Sequence, residues 1–220
     1  MSTKRSIREL KASDALRRRG ISGLGARMRR LAAHERRWMT SLGLWLARRT
    51  DGVGGADVAV GYARAQAPTA YGLIFVFVVE TVGVSFMLAE YPVAHLLMLF
   101  LDLYTVCLVV GLHAAAVTRP HVVGPGGLRV RRGAALDLWI PLERIASARY
   151  DLRIPDANKS QDGVLEVAIA SQTSITVELV RPVITLSFWG TPREVHTVRC
   201  HADEPRAAVA AINRLLPIDG

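Results

Sequence analysis

Between Tyr71 and Val117 the chain has no lysine and no arginine, and Glu80, Glu90 and Asp102 are the only formally charged residues there. That absence excludes an ordinary water-facing surface over this stretch. Cysteine is almost absent as well. Cys107 and Cys200 exclude a disulfide framework and any paired-cysteine metal site, and both are read as packing residues. The chain has no HExxH, no GxSxG and no P-loop lysine. The glycines of "DGVGGADVAVG" follow no predicted strand, which argues against a phosphate-binding loop. No early apolar run suits a cleavable signal peptide. The expectation is a protein without catalytic residues, metal or cofactor.

What fills residues 71–117 is apolar sequence of membrane-crossing length. Two spans are predicted, at about 71–89 and 93–117, with "EYP" at 90–92 as the turn of a tight helical hairpin covering 69–117. The flanks are charged unequally. Residues 1–67 hold 15 Lys/Arg against 5 Asp/Glu, and residues 118–220 hold 13 against 11. Positive flanks stay in the cytoplasm. The expected location is therefore the inner (plasma) membrane, multi-pass, with both termini cytoplasmic and only the turn reaching the far side.

Ahead of the hairpin, residues 1–23 read as a basic disordered or frayed segment. Residues 24–49 carry Leu24, Met28, Leu31, Trp38, Leu42 and Trp45 at helical spacing. Arg27, Arg29, Arg30, Arg36, Arg37, Arg48 and Arg49 lie mostly off that stripe. With Trp38 and Trp45 they form a candidate lipid-surface set, suited to a helix among anionic head groups. The alternative is a topogenic charge cluster whose helix packs on the protein's own domain. Residues 50–68 read as a flexible linker, with Pro68-Thr69 opening the first span. The basic segment abuts a membrane span and carries tryptophan, so anionic lipid and not nucleic acid is the expected partner.

After Arg119-Pro120 the texture changes to short alternating runs: "LRVRR", "ALDLWI", "RIASARY", "LEVAIA", "ITVELV", "VITLSFW" and "VHTVRC". "GPGG", "PDANKSQDG" and Arg181-Pro182 are the expected turns. Leu165, Val167 and Ile169, then Ile175, Val177 and Leu179, then Ile184, Leu186 and Phe188 are expected to line a core. "DEPRAAVAAINRLL" reads as a closing helix, with Asp203 as N-cap and Ala208, Ala211, Ile212 and Leu215 as its apolar face. About seven antiparallel strands and one packed helix over 121–217 complete an α-helical hairpin plus a mainly β (α+β) cytoplasmic domain.

The order of these elements, with "GGLRVRRGAALDLWIPLERIASARY", "VELVRPVITL" and "HADEPRAAVAAI", resembles the bacterial pleckstrin-homology-like (PH-like) domains. Across residues 30–217 the chain is similar to a group of two-span actinobacterial membrane proteins. That resemblance implies a small barrel of two packed sheets capped by the C-terminal helix, and no enzymatic activity. It carries over no ligand, because fold does not transfer function.

The charges inside the spans need a reason, since a charged side chain at bilayer depth is costly. Glu80 lies eleven residues before Tyr91 and Asp102 eleven after it. At ~1.5 Å per residue, both sit about 16 Å from the turn, near the midplane. They are expected at matching depth as an intramembrane polar pair that shares a proton, binds a cation or meets a group on another subunit. His95 and His113 fall on the Asp102 face of the second span, with Thr105 at its border, as an accessory polar stripe. The two histidines are ~27 Å apart along the helix and share no metal. Arg129, Arg131 and Arg132 read as a solvated strand edge near the membrane, or as a contact to acidic lipid. Trp139 is out of phase with its neighbours; it and Trp189 read as loop-packing or partner residues.

The functional expectation is a non-enzymatic membrane scaffold or accessory subunit. It would have a membrane-surface helix, an oligomerising hairpin and a cytoplasmic interaction domain, with a homo-oligomer or another membrane protein shielding the polar stripe. The alternative is an oligomeric proton- or cation-handling membrane protein centred on Glu80 and Asp102.

Overall fold

A computed structural model describes residues 25, 28–29, 31–156, 161–186 and 192–216. The basic segment 1–23, Leu24, Arg27, Arg30, Phe188 and Trp189 lie outside the described residues. The chain divides into two units, Met1–Arg36 and Arg37–Gly220. In the first, residues 25, 28, 29 and 31–36 are helical, and Met28, Leu31, Arg29 and Arg36 are exposed.

In the second unit, helix α1 covers residues 37–46 and strand β1 covers Val58–Val60. Two long helices follow, α2 (Ala67–Met87) and α3 (Pro92–Thr118), each with a proline in its first turn, where the missing N–H costs nothing. At ~1.5 Å per residue they run about 32 and 40 Å, enough to cross a hydrocarbon core of about 30 Å. Both are long and apolar enough to span a membrane. They pack on one another through a short turn at residues 88–91.

Seven more strands and a helix complete the unit: β2 (His121–Gly124), β3 (Gly127–Arg132), β4 (Leu136–Pro141), β5 (Ile145–Arg153), β6 (Val164–Val167), β7 (Thr173–Leu186), β8 (Pro192–Cys200) and α4 (Pro205–Leu215). They form two four-stranded sheets, ordered β1-β2-β3-β4 and β5-β7-β8-β6. One core joins Val123, Leu128, Val130 and Ile140 of the first sheet to Ile175, Val177 and Val198 of the second, with Ala208 and Ile212 of α4.

The structure revises four expectations. First, the segment read as a flexible linker contributes β1, which pairs antiparallel with β2 (Val58 opposite Val123, Val60 opposite His121) and so brackets the whole hairpin. Second, β6 runs parallel to β8 at the edge of its sheet, so the strands are not all antiparallel. Ala170 and Ser171 both take positive φ (48° and 60°) in a tight turn, but the turn closes only the single bridge between Ile169 and Gln172.

Third, Arg181-Pro182 is no turn: "ITVELV" and "VITL" are one 14-residue strand. Between Glu178 and Val183 the pairing with β8 slips, four β7 residues standing against His196 alone. An excess of three residues is odd, so the faces exchange. Ile184 is accordingly 70% exposed and Val183 is 4% exposed, the reverse of the alternation read through this run. Fourth, α4 begins after Glu204 without a side-chain cap. The Asp203 carboxylate instead accepts the backbone N–H of Arg64 at 3.1 Å, ahead of α2.

Candidate functional site

The residues singled out inside the hairpin are not drawn into one site. Glu80 is exposed on α2, and no hydrogen bond or ion pair joins it to Asp102 among the described residues. Asp102 is half-buried, with its Oδ2 covered and lacking a hydrogen-bond partner. Thr105 donates its hydroxyl to the carbonyl of Leu101 at 2.9 Å, one turn back on its own helix, and not to Asp102. His95 is half-buried near the turn. His113 is buried between Tyr71, 5.0 Å from its ring centre, and Trp45 at 6.4 Å. Among the described residues no group of three or more His, Cys, Asp or Glu is placed to hold a metal ion.

The lipid-surface set also divides. Trp38 is 4% exposed, seated over Gly111 of α3 and against Ala115 and Ala134, with an edge-on contact to Tyr104. A Cβ at Gly111 would lie 2.2 Å from the indole, so only glycine leaves room for this approach. Arg37 donates to the Ala134 carbonyl at 3.3 Å. Leu42 and Trp45 follow Trp38 at steps of four and three and turn the same way, toward α3. The apolar stripe of α1 is thus covered by the protein itself, while Arg48 and Arg49 remain exposed at its end.

The densest polar arrangement lies where the hairpin meets the sheets. Asp51 donates its N–H to the Thr118 carbonyl at 2.8 Å, fixing the loop after α1 to the last turn of α3. The Asp51 carboxylate then accepts Arg119 Nη2 and Nε at 2.8 and 3.1 Å. Arg131, on the outer side of β3, is 1% exposed because this loop covers it, and its Nη1 donates to the Asp51 carbonyl at 2.7 Å. The reading of Arg131 as a solvated strand edge is therefore corrected. The approach is close enough that a Cβ at Gly52, whose φ is +65°, would lie 2.7 Å from Arg131 Nη2. Arg129 grips Asp137 through two bonds, of 2.6 and 2.7 Å, and Arg131 Nε stands 3.5 Å from the same carboxylate. Arg132 is exposed.

Three arginines thus share two carboxylates. Burial pushes the Arg131 guanidinium below its ordinary range, and Arg129 adds to the effect. Burial opposes ionisation of Asp137, but the hydrogen bonds from Arg129 and the charges of Arg129, Arg131 and Arg119 outweigh it and hold the carboxyl below the usual range.

Beneath this cluster lies His121. Its Nδ1 accepts the Arg131 N–H at 3.0 Å, which leaves Nε2 to donate to the His201 carbonyl, also at 3.0 Å. One neutral tautomer satisfies both bonds. Burial drives its pKa down to about 4, with the charges of His201 and Arg131 acting in the same direction. The Tyr62 ring lies 4.6 Å from the imidazole, and its buried hydroxyl accepts the Gly133 N–H at 2.7 Å. Burial raises the Tyr62 pKa to about 12.

His121 is thereby held neutral and Tyr62 protonated at neutral pH, and no nucleophile stands beside a base in this cluster. The arrangement positions the sheets on the hairpin. Sequence reasoning named Arg129 and Arg131 but missed Asp51, Tyr62, Arg119 and His121. The available signal was four polar or aromatic residues close to the two ends of a hairpin whose ends must meet. The cysteines take different places: Cys200 is in the core, where burial raises its thiol pKa to about 12, and Cys107 is exposed on α3. Trp139 is half exposed beside Gly126. No protein-family model, curated protein or solved structure matches this chain.

Proposed function

We propose that this protein is a non-enzymatic scaffold or accessory subunit of the bacterial inner membrane. Its hairpin associates with a copy of itself or with another membrane protein, and both termini face the cytoplasm. The two sheets with α4 act as a PH-like interaction domain at the membrane surface. One observation carries the reading. Helices α2 and α3 are of spanning length, and the carboxylates midway along them have no partner within the described chain. A carboxylate at that depth needs protein, a proton or an ion beside it, and two helices have little surface with which to shield it.

The competing reading, proton or cation handling by an oligomer, rests on the same two carboxylates. It is weakened by Glu80 and Asp102 not being joined, and by Thr105 being satisfied within its own helix.

The test is the mass of the intact complex, extracted with its surrounding lipid. A fixed homo-oligomer or a second polypeptide supports the scaffold reading, and a lone monomer carrying only lipid sinks it. Glu80→Gln combined with Asp102→Asn separates the two readings. A scaffold keeps its assembly, because neutral amides still hydrogen-bond, whereas a proton or cation carrier loses flux with either change alone.

A further inference from the structure

The turn that ends α1 is unusual in its residue. Arg49 donates its N–H to the Leu44 carbonyl at 2.8 Å and Arg48 donates to Trp45 at 3.0 Å, the paired bonds of a helix stop whose central position normally holds glycine. Arg48 occupies that position at φ +54°. A side chain held in a left-handed conformation is strained, and such strain concentrates at functional positions. The turn sets Arg48 and Arg49 side by side at the mouth of a groove of about 530 Å³, between the end of α1 and the last turn of α3. The other walls are Trp45, Leu46, Thr50, Val117 and Thr118.

Chemically the groove is two-faced. Leu46 is 78% exposed and Val117 40% exposed, and Val117 continues the apolar side of α3. At the rim Arg48 and Arg49 are exposed and enter no ion pair among the described residues. The nearest acid in sequence, Asp51, is already engaged by Arg119. The groove also sits at the C-terminal end of α3, one of the two helices long and apolar enough to span a membrane.

We propose that this groove binds one anionic phospholipid of the cytoplasmic leaflet, with its phosphate on Arg48 and Arg49 and its acyl chain over Leu46 and Val117. Planar guanidinium groups suit a phosphate diester, which they engage through paired hydrogen bonds. The apolar wall selects a lipid over a free anion, which has nothing to place there. The volume lies within the range of small-molecule sites. The inference rests on the membrane location proposed above and deepens it, from general attraction to an anionic leaflet to a single site of defined stoichiometry.

The experiment uses the full chain in mixed micelles, titrated with dioleoyl phosphatidylglycerol or dioleoyl phosphatidylcholine, with bound lipid counted by native mass spectrometry. The wild type is expected to retain one phosphatidylglycerol per chain, with roughly tenfold preference over phosphatidylcholine. Arg48→Gly keeps the turn, since glycine is its favoured residue, and together with Arg49→Ala it should abolish that preference. Arg48→Lys with Arg49→Lys should retain part of it, because charge survives while the planar fork is lost. Equal retention of the two lipids by the wild type overturns the proposal, as does an unchanged preference in the Gly/Ala variant. Competition by millimolar inorganic phosphate as effective as competition by lipid also overturns it, and points to a free-anion site. Carbonate washing of membranes separates the two levels. A protein released by carbonate defeats both the membrane reading and the groove. A protein that stays embedded without lipid preference defeats the groove alone.

Discussion

Four carboxylates show how differently the base of the hairpin and the middle of its helices treat the same chemical group. At the base, Asp51 and Asp137 are gripped by Arg119, Arg129 and Arg131, and backbone bonds fix the loop that carries Asp51. Midway along the helices, Glu80 is exposed and Asp102 keeps an oxygen covered without a partner. The base pairs its charges within one chain, although Arg131 keeps Nε and Nη2 covered without a hydrogen bond, and the middle pairs none among the described residues. Where a chain satisfies its own charges, the charges hold its parts in place. Where it leaves them unsatisfied, they ask for a neighbour.

The contrast can be broken at several points. The largest effect is expected from Trp38→Ala, which empties the seat over Gly111. Removing a buried tryptophan side chain costs about 3–5 kcal/mol. The loss should appear as faster amide exchange in residues 37–46 in detergent micelles. Unchanged protection there would mean that α1 does not depend on the base for its position.

A pH titration should give nearly as much. The fold holds His121 neutral, with its pKa pushed from the ordinary 6.5 down to about 4. The unfolded chain therefore binds a proton that the folded one refuses between those values. The stabilisation is full above about pH 6.5 and declines as pH falls toward 4, by about 3 kcal/mol in total. Asp137, held below its ordinary range, adds loss in the same direction at still lower pH. Denaturant melts at several pH values should show this slope, and His121→Gln should flatten it above pH 4. An equal slope in the variant would place the sensitivity elsewhere.

Tyr62→Phe comes next. It leaves the half-buried Gly133 N–H without its partner, which costs about 1 kcal/mol, readable in the same melts. Smallest is Glu80→Gln, expected to change the stability of the isolated chain by no more than about 0.5 kcal/mol, because exposed Glu80 has no partner among the described residues to lose. A loss of several kcal/mol would sharpen the picture in the other direction, by revealing a partner within the chain.

The hairpin was legible in the sequence because long apolar runs are contiguous, and the observed helices fall within a few residues of the predicted spans. The strands were legible wherever period-two alternation survived, as at Val167, Ile169, Ile175 and Val177. They failed where the cause lay in another segment. Nothing in "VAV" marks a strand, since its partner is supplied after two helices. The inward turn of Val183 depends on a slip against β8 that no local pattern shows. Burial of Arg131 likewise depends on a loop eighty positions away. Of the candidate site, the arginines were visible as residues, but their enclosure was not.

The pairing of β1 with β2 makes the order of synthesis matter. The first strand leaves the ribosome before either long helix, and the strand it pairs with follows both. Until the second helix has been made, Val58–Val60 waits without a hydrogen-bonding partner. Any interruption of the helices leaves β2 as a bare edge, open to another chain. Pairing of β1 with β2 therefore closes the two ends of the hairpin and completes the first sheet in one event.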